Sequence, residues 1–224
     1  MELYQRIEQI LLQLRPVFHR ETTFKWFVLL FWGAVLNTQP PALTRYLNAL
    51  GLGEGYYHQA LHWFHSSAFC VDSLCQAWGQ WLSEHQFVSR LQGERLYVGD
   101  GIKVGKEGRK MPGVKRLHQE SSNVSKPEWI RGHYFSALGL LLETGAAVFA
   151  VPIVFKLHDG IDAAENEAQG LTLVDKMAAL CITYMSQGSY VVLGRGRPRQ
   201  WGSAIRLQDL FATSQTCLKA VVCL

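Results

Sequence analysis

The period of the apolar residues changes once along the chain, and the change divides it. Up to about residue 93 they recur at helical spacing. Leu3, Ile7, Ile10, Leu11 and Leu14 mark one face of a first helix, which Pro16 interrupts. Further helices are expected over 22–36, 42–50, 56–69 and 72–86, separated by the Asn37–Pro41 and Gly51–Gly55 turns. The pair 43–50 and 56–69, joined by a glycine turn, matches the outline of a helix-turn-helix, which any compact helical bundle shares.

From Glu94 the pattern is that of strands. Leu96–Gly99, His133–Glu143 and Ala146–Leu157 are rich in Val, Phe, Leu and Ile and are bounded by Gly, Thr or Pro. Glu143-Thr-Gly-Ala146 reads as a hairpin turn between the last two. An amphipathic helix is expected over 166–186, and Ser189–Leu193 as a buried strand after it. Three strands, a helix and a fourth strand make an α/β layout, and the helical crossover favours a parallel fourth strand. Beyond Leu193 the stretch Gly194-Arg-Gly-Arg-Pro-Arg-Gln-Trp-Gly202 is basic and turn-like, followed by a weak helical period near 204–211. The expected organisation is a helical region over 1–93, an α/β region over 94–193 and an aberrant tail over 194–224.

Composition narrows the class. Of 224 residues, 48% are hydrophobic and 18% charged, which fits a globular protein rather than a disordered one. The longest apolar run, Trp26–Leu36, falls well short of the roughly 20 residues of a membrane span. Five cysteines form no CxxC pair and no signal peptide opens the sequence, so reduced thiols and a cytoplasmic location are expected. The net charge of +4 says little as a total. Its concentration says more, because Lys103, Lys106, Arg109, Lys110, Lys115 and Arg116 follow directly on Asp100 in a glycine-rich stretch.

A carboxylate at the end of a buried strand, next to a basic loop, suits a site that holds a cation and a polyanion together. The bland alternatives are a Gly-Asp-Gly turn and a solvated loop. The loop is not a nucleotide-binding loop: Asp100 stands where the first glycine of a Walker loop belongs, and Glu107 replaces the Ser or Thr after Gly105-Lys106. His58, His62 and His65 share a helix face near Cys70, but without zinc-finger pairing they read as a polar face that meets phosphates. Arg195-Gly-Arg-Pro198 matches an AT-hook core, which is weak evidence at four residues. Trp63, Phe64, Phe69, Trp78 and Trp81 read as core aromatics, and Asp159, Asp162, Glu165 and Glu167 as helix capping.

The block Tyr97-Val-Gly-Asp-Gly-Ile-Lys-Val-Gly-Lys-Glu-Gly-Arg-Lys-Met-Pro-Gly-Val-Lys115, with His118–Asn123 and Lys126–His133, resembles the catalytic-domain start of DDE-type insertion-sequence transposases. The resemblance implies an RNase H-like fold of three antiparallel strands, a helix and a parallel fourth strand. It implies double-stranded DNA at transposon ends as partner, and two-metal phosphoryl transfer with Mg²⁺ held by three carboxylates. Asp100 matches the first, as catalytic residue and metal ligand, with Lys103, Lys106, Arg109, Lys110, Lys115 and Arg116 as DNA contacts. The second belongs at the end of the fourth strand, where this sequence has Gly194. The third, a glutamate on a later helix, falls beyond the last residue of the sequence. A chain with one of the three carboxylates is expected to be inactive alone. A base inserted after the Leu193 codon would turn an Asp-Ala codon pair (GAC GCG) into the Gly-Arg (GGA CGC) read here. The alternatives are a non-catalytic DNA-binding protein that regulates or associates with full-length transposase or with itself, and a decayed fragment prone to aggregate through an unpaired sheet edge.

Overall fold

The computed structural model describes residues 2–106, 108, 111–118, 127–145, 147–158, 173–187, 189–194 and 201–206. Helices come first and a sheet follows, in two compact units, Met1–Trp81 and Leu82–Leu224. The division falls ahead of the point where the apolar period changes. Residues 83–91 already belong with the sheet: Ser89 N–H donates to the Leu141 carbonyl at 2.9 Å, and Arg95 Nε donates to the Ser83 carbonyl at 3.1 Å.

In the first unit α1 (Glu2–Leu14) stops before Pro16, and α2 (Glu21–Leu36), α3 (Leu43–Ala49), α4 (Tyr57–Phe64) and α5 (Val71–Ser83) follow. Pro16 lies in a short 3₁₀ turn, Arg15–Val17, at the first helical positions where a missing N–H costs least. The core is aromatic: Phe18, Phe24 and Trp63 are buried with Leu30, Leu47 and Ala60, and Trp63 stacks on Phe69 at 4.6 Å. The Trp63 indole donates to the Thr23 carbonyl at 2.9 Å, which fixes α4 against the start of α2. Two expectations change here. The helix expected over 56–69 ends at Phe64, and the Ser66 hydroxyl accepts the Ala68 N–H instead, a local bond that competes with helix continuation. Phe64 is 55% exposed rather than a core residue, while Trp78 and Trp81 are half-buried and stack on each other at 5.3 Å.

The second unit is a mixed sheet with a helix on one face. β1 (Arg90–Leu91) turns through Gln92 and Gly93 into β2 (Glu94–Gly105). β3 (Lys115–His118), β4 (Trp129–Glu143) and β5 (Val148–Leu157) are antiparallel additions, with β4 between β2 and β5. The turn between β4 and β5 closes with a bond from Thr144 N–H to the Ala147 carbonyl, and Gly145 adopts a left-handed φ of 66°. α6 (Leu173–Tyr184) precedes β6 (Tyr190–Gly194), which pairs parallel with β2. The first part of the helix expected over 166–186, and the acidic cluster 159–167, lie outside the described residues.

β7 (Trp201–Arg206) pairs antiparallel with β6. The weak helical period expected from residue 204 is overridden there, because a chain at the free edge of β6 gains ladder bonds that a short helix does not supply. On the opposite side β5 is an edge strand whose Pro152 lacks an N–H to offer. Its ladder with β4 shifts register between Leu138 and Gly139.

The α6 face of the sheet is the dry one. Tyr97, Leu138, Leu140 and Val191 are buried against Met177, Ala178, Leu180 and Cys181, and burial pushes the Cys181 thiol up to about 12. The same layer contains a polar pair, Ser136 Oγ and His158 Nε2 at 2.6 Å, both residues almost fully buried. Burial, then the nearby Lys176 and Lys115, push the His158 imidazole down to about 4. Its folded pKa lies below the ordinary value, so the unfolded chain takes up a proton first as pH falls. Stability is full above about 6.5 and is lost as pH drops toward 4. The loss attributable to His158 is at most about 3 kcal/mol. Urea unfolding followed between pH 7.5 and 4 should show this slope in the wild type and a shallower one in His158→Gln.

Candidate functional site

β2 is the strand on which the candidate site is built. It pairs with β4 from Tyr97 to Gly105, whereas β6 accompanies it only from Leu96 to Gly99. Asp100 is therefore the first β2 residue past the parallel partner. It does not end its strand, as the sequence led us to expect. β2 continues through Gly101–Gly105 because β4 supplies a ladder along its other edge, so the first part of the expected basic loop is strand. Since Gly99 pairs with Leu193, the next step along both strands brings Asp100 level with Gly194.

Alternation assigns each side chain to a face. Tyr97, Gly99 and Gly101 look toward α6: Tyr97 reaches Ser186, a Cβ on Gly99 would meet Leu193 and Met177, and one on Gly101 would overlap the Tyr134 hydroxyl. Asp100 lies on the other face with Val98, Ile102 and Val104, opposite Ala137 of β4. The carboxylate is exposed and accepts the N–H of Gly101 at 2.7 Å. Among the described residues no group of three His, Cys, Asp or Glu side chains is placed to hold a metal ion.

The basic residues do not form one cluster around the acid. Lys103 and Lys115 fall on the α6 face; Lys103 Nζ donates to the His118 carbonyl at 2.6 Å, and Lys115 lies near His158. Arg116 falls on the Asp100 face, where its guanidinium covers the Trp129 ring at 4.5 Å. Lys106 is exposed, and its N–H donates to the Arg131 carbonyl at 2.9 Å. Arg109 and Lys110 lie outside the described residues. The sequence reading passed over Arg131, which pairs directly with Arg116 across β3 and β4, both exposed. The alternation Trp129-Ile-Arg131 could have found it. Asp100 pairs with Ala137, so it and this arginine pair share one face, separated along β4 by about 20 Å at ~3.3 Å per residue.

Other candidates resolve differently. His58 and His62 line a cleft of the first unit, and His65 ends α4. The AT-hook match at 195–198 lies outside the described residues. Among the described residues no helix is long and apolar enough to cross a membrane. No family model, curated protein or solved structure matches the chain.

Two glycines of β2 allow a test of this geometry. Gly101→Ala places a methyl against the Tyr134 hydroxyl and should cost about 1–3 kcal/mol. Gly105 has open space at its Cβ position and no left-handed φ, so Gly105→Ala should stabilise by about 0.4–1 kcal/mol. Urea midpoints of the two variants should move in opposite directions.

Proposed function

We propose that this chain is a catalytically incomplete relative of the DDE transposases, built on an RNase H-like sheet and acting on duplex DNA without cutting it. The observation that carries the reading is the register that brings Asp100 level with Gly194, the last residue of β6, just past the end of the parallel ladder between β2 and β6. Three antiparallel strands (β2, β4, β5), then a helix, then a fourth strand parallel to the first is the order that fold requires. In that fold the two strand ends each carry a carboxylate; here one end carries glycine. Mg²⁺ is a hard cation that needs several oxygen ligands. One exposed carboxylate beside a glycine does not fit a two-metal site, so no strand-transfer step is assigned to this chain.

What remains supports binding. Arg116 and Arg131 stand directly opposite each other in the ladder, an arrangement that is unfavourable unless an anion lies across both. Lys106 is exposed beside them. A duplex advances ~3.4 Å per base pair. The distance from this basic end to Asp100 therefore corresponds to about six base pairs of backbone. A frame change after the Leu193 codon accounts for both Gly194 and the change of composition that follows it.

The test is a duplex-binding and nicking assay on the whole chain. Binding should weaken steeply with salt, without nicking in Mg²⁺ or Mn²⁺. Arg116→Gln with Arg131→Gln should reduce the salt slope by about 2. Metal-dependent nicking that disappears in Asp100→Ala would refute the claim of inactivity, and salt-insensitive or absent binding would refute the DNA reading. The coding DNA supplies an independent check. An Asp-containing continuation of the transposase pattern in another frame after the Leu193 codon is expected, and its absence removes the frameshift.

A further inference from the structure

A second candidate site lies wholly within the helical unit. The start of α2 and the length of α4 enclose a cleft of about 420 Å³, whose walls include Arg20, Thr22, Trp26, His58, His62 and Ser66. His58 and His62 are one helical turn apart on α4, so their rings share a face. The indole bond from Trp63 to the Thr23 carbonyl ties the two walls together, so the cleft is formed before any ligand arrives.

Arg20, Thr22, His58 and His62 are exposed along the cleft, and the Ser66 hydroxyl, which accepts the Ala68 N–H, still has its own proton to donate. Among the described residues Arg20 has no ion-pair partner, and neither imidazole has an acceptor. No carboxylate lines the cleft. The nearest in sequence, Glu21, is drawn away: it binds Arg15 at 2.9 Å and lies 3.9 Å from Lys25. α2 is a 16-residue helix whose N-terminus has no side-chain cap. The amides of its first turn, including those of Thr22 and Thr23 in the cleft wall, therefore lack intrahelical acceptors and carry the positive end of the dipole. A metal cation would meet Arg20 and no oxyanion there, and an apolar ligand would bury donors without partners. A tetrahedral oxyanion satisfies all of them.

We infer that this cleft binds a phosphate group, with the Arg20 guanidinium, the His58 and His62 imidazoles and the Thr22 and Ser66 hydroxyls as its donors and Trp26 as its apolar wall. The phosphate is either part of a nucleic-acid backbone, a source that rests on the reading above, or a free phosphate, which does not.

The experiment uses the whole chain in two arms. In the first, inorganic phosphate is titrated into ¹⁵N-labelled protein at constant ionic strength, with chloride as the control. The amides of Thr22 and Thr23 and the Trp26 indole should shift in the wild type, much less in Arg20→Gln/His62→Gln, and nearly as in the wild type in Arg20→Lys. In the second, duplex affinity of the Arg20→Gln/His62→Gln variant should fall about tenfold, with a salt slope lower by about 1. Cleft shifts with unchanged duplex affinity assign the site to free phosphate. Cleft shifts in a protein that binds no duplex retain the site and remove the DNA reading. No cleft response to phosphate, with duplex affinity unaltered in the variant, overturns the site and leaves the DNA reading standing.

Discussion

The sheet unit depends on β2 being held along both edges, and on the point where one of those edges ends. From Tyr97 to Gly99 the strand lies between β4 and β6. Its inward side chains there are Tyr97, which is 1% exposed, and Gly99, whose missing side chain lets Leu193 and Met177 close over the backbone. Past Gly99 only the β4 ladder continues among the described residues. Beyond that point burial gives way to exposure on both faces, from Asp100 to Gly105. The acid therefore occupies a transition in the sheet, where a rigid backbone meets solvent. The strand behind it is paired along both edges.

The two faces of the sheet have opposite characters. One is covered by α6 and holds the buried Ser136–His158 pair, whose imidazole is pushed toward its neutral form mainly by burial. The other carries Asp100 between partly exposed apolar residues, Val98, Ile102 and Val104 on β2 and Phe135 and Ala137 on β4, and ends in the Arg116–Arg131 pair. Like charges directly opposite in a ladder contribute unfavourably. Stacking of Arg116 on Trp129 offsets part of that cost and holds one guanidinium flat against the sheet.

Most of this was legible in the sequence as elements, and less of it as placement. Helical spacing located α1, α2 and α5, and β-branched runs located β4, β5 and β6, because each buries one face and the period records it. The error on β2 had a specific cause. Glycine and lysine in 101–106 carry no strand signal of their own, so only the pairing with β4, residues distant in sequence, makes that stretch extended. The same blindness joined six cations into one loop. Alternation then separates Lys103 and Lys115 from Arg116, and no count of charges contains that information. Arg131 escaped because its partner, Arg116, is brought opposite it by a register that a single strand does not specify.

The glycine at the end of β6 also has a consequence for folding. Carboxylates on neighbouring strands stand about 4.8 Å apart. At an effective dielectric constant of 20, two such charges repel by about 3 kcal/mol, and less where water screens them. A sheet end with both acids therefore relies on a bound cation to offset that repulsion. With glycine at 194 that repulsion does not arise, and the Asp100 carboxylate accepts the Gly101 N–H. With one acid and one glycine side by side, these strands need no cation to stay paired. The central strands pair on their own, and they frame the arginine pair at the far end of the same face.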